Sequence, residues 1–391
     1  MKIKDKNKNV TESMLSRLPE PPEGKKGWPW TEETDKRIYE HIKSFPKISI
    51  VTPSFNQGKF IEQTIRSVLL QNYPNLEYII IDGGSTDQTY EIIKKYRTWI
   101  KYWVSEKDRG QTHAINKGFL KCDGEIFNWL NSDDFYSNGC FKFLADAFQD
   151  RGTEVVSGKY RFFYENENKE KIIDLKMRNT LEESIALVAI NQPSTFFRMD
   201  IIKSLGELDE RLNYLMDQDL WKKYLFKFGQ DRIKIIDQVL VSFRYHSASK
   251  TSQFKFINEH MGIYYSIASK AGMIKHMETM KKIYGNDIIS EYDFSLSFSN
   301  EDLNLAKKAI NSLFLFNARS SYTECNTKQL RQWLKTLESR WLNEKQKIEL
   351  RSLKVKSKLL KFKLEPVIKF INSRNSKARN KRMKNEPVTE M

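Results

Sequence analysis

The chain has 391 residues, with 66 Lys and Arg against 50 Asp and Glu for a net charge of +16, which predicts two or three domains and a basic protein. Its 39% hydrophobic content, with 24 Phe, 17 Tyr and 8 Trp, excludes wholesale disorder. Cys122, Cys140 and Cys325 lie far apart with no CxxC pair, which argues against a disulfide framework and a zinc ribbon. With no apolar leader and no run approaching about 18 apolar residues, a cytoplasmic location is expected.

Residues 1–45 begin charged and pass through Pro19, Pro21 and Pro22 to Trp28-Pro29-Trp30, and are read as an N-terminal extension. From Lys47 the pattern becomes short apolar runs followed by segments of helical spacing. KISIVTPSFN reads as a strand and loop, after which Ile61, Ile65, Val68 and Leu69 fall on one helical face. LEYIIIDGGSTD repeats the unit, with a turn at Gly83-Gly84 and a helix expected to begin near Ser85 or Thr86. KYWVSEKDRG with THAINKGFLK, and GEIFNWLNSDD with CFKFLADAF, make two more. Strands alternating with helices predict a parallel, doubly wound α/β sheet, whose ligands bind at the carboxyl ends of strands. Beyond residue 150 come longer strands, a helix around DQDLWKKYLFKFG and a strand at IKIIDQVLVSFRYH. A mostly helical region is expected over 251–350 and a basic tail over 351–391, the sheet domain spanning 46–250.

Asn56, Asp82, Asp108-Arg109 and residues 131–134 each follow a predicted strand, so they are expected to converge on one edge. There is no GxGxxG after the first strand, no GxxxxGK[ST], no HExxH and no GxSxG, which removes the usual dinucleotide, P-loop, zincin and hydrolase fingerprints. The sharpest local feature is Asn131-Ser132-Asp133-Asp134. Adjacent carboxylates after a buried strand repel unless a cation or solvent compensates, and a hard divalent ion with phosphate and water ligands is one answer. A helix cap before Phe135 is the other. Asp82, followed by Gly83, Gly84 and Ser85, offers a carboxylate where the backbone can come close to a ligand. Asp217 and Asp219 in MDQDLW stand two apart at a predicted helix start, so only one can face a cleft.

TPSFNQGKFIEQTIRSVLLQNYPNLEYIIIDGGSTDQT, SEKDRGQTHAINKGF and GEIFNWLNSDD, in this order, resemble the nucleotide-sugar-binding half of inverting GT-A glycosyltransferases of family 2, and MDQDLW resembles the acceptor-side motif. The resemblance covers residues 47–250. It implies a GT-A fold, a Rossmann-like sheet with helices on both faces, and a metal-dependent enzyme using Mn2+ or Mg2+. It implies that Thr52, Pro53, Ser54 and Asn56 line a uridine or thymidine pocket and that Asp82 contacts the base, with Gly83 and Ser85 beside it. Arg109, Asn116 and Lys117 are implied on the nucleotide-facing surface, and Asn131, Ser132 and Asp133 toward the ribose, with Asp134 on the ion. Asn131 stands where the family has an acid, and Met216 where it has Glu. That alignment makes Asp217 the candidate base with Asp219 its rival. Gln192 in NQPST is implied at the acceptor site, and His246 at the metal or diphosphate.

Of the +16, +10 falls in residues 351–391, which hold thirteen Lys and Arg against three acids. Leu353, Val355, Leu359, Leu360, Phe362 and Leu364 alternate there with lysines, the composition of a segment lying on an anionic membrane face. The expected function is transfer of a sugar, with inversion, from a nucleoside-diphosphate sugar to a glycan or lipid-linked saccharide, peripherally at the inner face of the membrane. Two competing readings are an inactive GT-A-like scaffold whose tail binds nucleic acid, and a nucleotidyltransferase. No RNA-binding pattern accompanies the first, and a basic pyrophosphate loop is weak for the second.

Overall fold

The computed structural model describes residues 13–360 apart from 166, 168, 188, 189, 247, 248, 251–255 and 286–291. The chain divides into two compact units, each discontinuous in sequence. The first comprises Met1–Ile172, Asn191–Ser204 and Ile233–Arg244; the second comprises Ile173–Ile190, Leu205–Arg232 and Tyr245–Met391.

In the first unit a short helix α1 (Met14–Arg17) precedes β1 (Ile48–Ser54), α2 (Ile61–Leu69), β2 (Leu76–Asp82), α3 (Thr89–Tyr96), β3 (Tyr102–Ser105), α4 (Gln111–Phe119) and β4 (Ile126–Trp129). Then come β5 (Phe135–Tyr136), α5 (Cys140–Ala147), β6 (Val155–Tyr164), β7 (Glu170–Ile173), β8 (Thr195–Arg198), α7 (Met199–Leu205) and β9 (Ile233–Tyr245), with α6 (Leu181–Ala186) between β7 and β8 belonging to the second unit. The strands form one sheet in the order β3-β2-β1-β4-β8-β6-β9-β5, with β7 beside β6. β1, β2, β3 and β4 are parallel, as the strand–helix alternation predicts. Beyond these four strands, where the regular alternation ends, the sheet is mixed: β8 runs antiparallel to β4 and to β6, and β5 antiparallel to β9. Parallel neighbours need helical crossovers, and the longer strands after residue 150 lack that regular alternation.

β1 is buried at every position and β2 at all but its first, which explains their near-continuous apolar runs. Helix α4 lies so close to β1 that a Cβ on Gly118 would fall 2.4 Å from Val51 Cγ1. Residues 13–45 pack closely, with Leu18, Trp30, Tyr39 and Ile42 buried. Arg66 on α2 is fully buried, and its guanidinium donates to the carbonyls of Pro19 (2.8 Å), Pro29 (3.0 Å) and Trp30 (2.8 Å) and to Tyr96 Oη (3.1 Å). A buried cation is tolerated only where its donors are satisfied, so the N-terminal segment and α2 form one structure.

The second unit is helical: α6 with α8 (Met216–Phe228), α9 (Phe256–Lys270), α10 (Ile274–Tyr284), α11 (Asn300–Thr323), α12 (Thr327–Thr336) and α13 (Glu344–Leu359). α11 opens on a reciprocal cap between Ser299 and Asp302 and buries Ala306, Ile310, Leu313 and Phe314, one stripe of a 3.6-residue period. The sequence reading gave 46–250 to one domain. The helix carrying MDQDLW instead shares its compact unit with the C-terminal helices. Among the described residues no helix is long and apolar enough to cross a membrane.

Candidate functional site

The sheet register brings three polar residues to one level. Ser54 at the end of β1 pairs with Asp82 at the end of β2, and Asp82 pairs with Ser105 at the end of β3. Asp82 is fully buried; Ser85 donates to it from N (2.9 Å) and Oγ (2.5 Å), and Ser105 from Oγ (2.6 Å). Its carboxylate is thus oriented by three donors. Asn56, in the left-handed region at φ +53, donates from N to Ser85 Oγ (2.7 Å) and accepts from Thr86 N at Oδ1 (2.9 Å). These bonds join the loops after β1 and β2. Gly83 lies against Asp108, where a Cβ would fall 2.7 Å from Oδ2, so the β2 loop and the loop after β3 meet there. Ser54 Oγ is buried without a hydrogen-bond partner, a polar atom at the strand end that no described residue satisfies.

The acidic turn follows β4 on the same edge, Leu130 N donating to Val51 O (2.9 Å). Burial alternates along it, Asn131 and Asp133 being partly exposed and Ser132 and Asp134 buried. Thr64 Oγ1 donates to the carbonyls of Ser132 (3.0 Å) and Asp134 (2.6 Å), and Asp134 N closes the turn on Asn131 O (3.1 Å). Strand β5 follows at once, so the helix-cap reading of this motif falls. The outward pair, Asn131 and Asp133, has the two-residue spacing of a DxD element. Asp134 points inward: Oδ1 accepts from Arg244 N (2.9 Å), and Oδ2 has no hydrogen-bond partner. Burial, then the neighbouring charge of Asp133, raises the Asp134 carboxyl well above its ordinary range, against Arg244. The expectation that Asp134 contacts the ion and Asp133 the ribose is therefore reversed in exposure.

The second unit holds the other acids. Asp219 is buried, paired with Lys223 Nζ (2.7 Å) and bonded by Tyr292 Oη, which makes it part of the helix core. Asp217 is partly exposed, and Oδ1 accepts from Gln218 N (2.8 Å). Burial lifts its carboxyl to about 6, opposed by that N–H and by the charge of Lys222. Neither acid caps α8. The N–H groups of Asn213, Tyr214 and Leu215 donate instead to Glu259 of α9, at 2.8, 2.8 and 2.9 Å. Behind Asp217, Gln218 Oε1 lies 3.3 Å from both Lys222 Nζ and His260 Nδ1.

Other expected site residues fare unequally. Thr52 lies inside β1 with Oγ1 3.0 Å from Tyr78 Oη, and Pro53 is buried beside it. Asn116 is buried on α4 and Lys117 is paired with Glu106. Arg109 N donates to His113 Nδ1 (3.2 Å), at the start of α4. Gln192 donates from Nε2 to Asn128 Oδ1 (2.8 Å) and Trp129 O (2.7 Å), so its amide donors brace the end of β4. His246 follows β9 and donates from N to Ser249 Oγ (3.0 Å). Phe55, 59% exposed beside Asn56, was passed over in the sequence; an aromatic left in solvent at a ligand-binding strand end was the available signal. Gln111, whose Nε2 donates to Asn131 Oδ1 (2.7 Å), was also passed over.

Among the described residues no three His, Cys, Asp or Glu side chains form a ready metal cluster. The outward side chains of the turn, Asn131 and Asp133, offer amide and carboxylate oxygens. Such a set fits a hard divalent ion that takes one or two protein ligands and completes its shell with phosphate and water.

Residues 49–205 match the family described as glycosyl transferase family 2. A glycosyltransferase of Rickettsia typhi is 30% identical over 221 residues, 53% of this chain and 66% of that protein. One from Haemophilus influenzae is 25% identical over 253 residues, 60% of this chain and 99% of that protein. The chain spans about two thirds or less of the Rickettsia relatives, 37% in R. conorii. In fold it is similar to S. aureus TarS 1-349 in complex with UDP-GlcNAc, with TM-score 0.53 and 17% identity over 80% of this chain and 88% of that one.

Proposed function

We propose that this chain, a member of glycosyl transferase family 2 through residues 49–205, transfers a sugar from a nucleoside diphosphate, UDP foremost, to a hydroxyl of a glycan or lipid-linked saccharide. The observation that carries the reading is the strand-end edge itself. Ser54, Asp82 and Ser105 stand level across three parallel strands, and the turn of Asn131 and Asp133 follows the fourth. This is where an open α/β sheet binds its ligand.

Asp82, fixed by Ser85 and Ser105, accepts from the imide N–H of the base, and Phe55 offers a face for it to stack on. Asn131 and Asp133 hold the ribose and, with Mn2+ or Mg2+ at Asp133, the diphosphate. When bound, the ion supplies charge stabilisation to the departing phosphate oxygens. Asp217 takes the proton of the acceptor hydroxyl as its oxygen bonds the anomeric carbon and the bond to diphosphate breaks. A carboxyl raised to about 6 is largely ionised at neutral pH yet basic enough for that task. Attack and departure on opposite sides of the sugar invert its configuration. The net +10 of residues 351–391 supports a peripheral position on an anionic, inner membrane face, with a lipid-linked acceptor in polysaccharide synthesis.

Calorimetry with UDP tests this. Binding should tighten with Mn2+, and Asp133→Ala should remove the enhancement. Binding indifferent to metal in the parent protein would favour a scaffold.

A further inference from the structure

Arg244, at the end of β9, contacts the acidic turn with both backbone and side chain. Its N–H donates to Asp134 Oδ1 (2.9 Å) and its Nε to the carbonyl of Asp133 (2.9 Å). The rest of the guanidinium is also committed. Nη1 pairs with Glu165, and Nη2 donates to Gln63 Oε1 (2.7 Å) on α2. The guanidinium carbon lies 4.8 Å from the ring centre of Phe60, 5.7 Å from Phe135 and 4.9 Å from Phe163. Arg244 is itself buried, so its fork has little freedom to leave this arrangement. Glu165 in turn reaches Lys59 Nζ at 3.3 Å, in the segment between the β1 loop and α2.

The turn has a specific need for such a clamp. Its function as read above depends on alternation, Asn131 and Asp133 outward and Ser132 and Asp134 inward. Two adjacent carboxylates repel, and a one-residue slip would bury Asp133 and expose Asp134. Thr64 fixes the two carbonyls of Ser132 and Asp134. The Arg244 backbone N–H meets the carboxylate of Asp134 whatever side chain stands there, while its guanidinium alone supplies the bond that fixes the carbonyl of Asp133 and so pins the turn from the other side.

We propose that Arg244 is a positioning residue: it locks the 131–134 turn so that Asp133 faces the nucleotide diphosphate while Asp134 stays inside. The inference rests on the functional reading above, since it assigns Asp133 the outward role. Removal of a partner that orients a metal-binding carboxylate typically lowers metal affinity about 10- to 100-fold.

Arg244→Met keeps most of the aliphatic stem between the three rings and removes every side-chain donor. In UDP calorimetry on the full chain, the Mn2+-dependent gain in affinity should fall about 10- to 100-fold, with metal-free UDP affinity within about twofold of the parent. Arg244→Lys, which keeps charge without the fork, should fall between the two. Phe163→Leu loosens the same cluster without touching the hydrogen bonds, so it should lower thermal stability and leave the Mn2+ effect intact. Equal losses in Arg244→Met and Phe163→Leu would reduce Arg244 to packing and overturn the proposal, as would parent-like Mn2+ dependence in Arg244→Met. Amide hydrogen exchange over residues 130–135 separates this from the functional reading. Arg244→Met should speed it about tenfold or more even if the parent proves indifferent to Mn2+, and unchanged exchange would refute the clamp.

Discussion

Asp217 and Asp219 are two residues apart on one helix, and their surroundings divide the work. Asp219 is sealed against Lys223 and Tyr292, so removing its carboxylate strands a buried ammonium. Asp219→Ala should therefore cost about 3–5 kcal/mol of stability, read by urea unfolding. Asp217 is the acid of the two that is not sealed into the helix core. Asp217→Asn should leave UDP affinity unchanged and lower kcat about 10²- to 10⁴-fold. In the parent enzyme kcat should rise with pH through about 6, because the base works only after losing its proton and its carboxyl has been lifted to that value by burial. A profile flat between pH 5 and 7 would place the base elsewhere. Spacing alone says only that one of the two acids must turn away, and the family resemblance favours Asp217 as the one that does not. What separates them is a tyrosine 73 positions on, at Tyr292.

At the scale of elements, the contact between α4 and β1 depends on the missing side chain of Gly118. A Cβ there meets both methyls of Val51, at 2.4 and 2.9 Å, so Gly118→Ala should cost about 1–3 kcal/mol and lower the melting temperature. The first four strand–helix units were readable because buried strands and one-faced helices have distinct periods. The start of α3 was not. Ser85 looked like a helix cap, but its hydroxyl serves Asp82, and the helix begins at Thr89 behind Asp87, whose Oδ1 accepts from Thr89 N (3.0 Å). The acidic turn was misjudged for a related reason. Sequence order does not disclose that Arg244, 110 residues on, draws Asp134 inward. The bonds from Gln192 to Asn128 and Trp129 are likewise hidden by sequence distance.

For the whole molecule, contiguity in sequence is a poor guide to contiguity in space. Within the span 46–250 three stretches, 173–190, 205–232 and 245–250, belong to the unit of C-terminal helices, which leaves the strand pattern legible and the domain boundary not. The expectation of a basic surface can be tested on the part described, since residues 361–391 lie outside it. On α13, Ile348 is 65% and Val355 60% exposed, seven residues apart on one face, and Lys345, Arg351, Lys354 and Lys358 are exposed around them. The triple substitution Arg351→Glu, Lys354→Glu, Lys358→Glu should weaken co-sedimentation with phosphatidylglycerol vesicles by roughly fivefold or more per site at low salt, since each basic residue near such a surface is worth about 1 kcal/mol. Undiminished sedimentation would remove α13 from the membrane reading.

Arg66 also decides how this protein can be cut. A fragment started at Lys47, as the family match alone would invite, loses the carbonyls of Pro19, Pro29 and Trp30 and keeps the cation they surround. The smallest piece able to fold by itself must therefore reach back past Pro19, and shorter versions should emerge from expression as inclusion bodies, whatever their catalytic motifs.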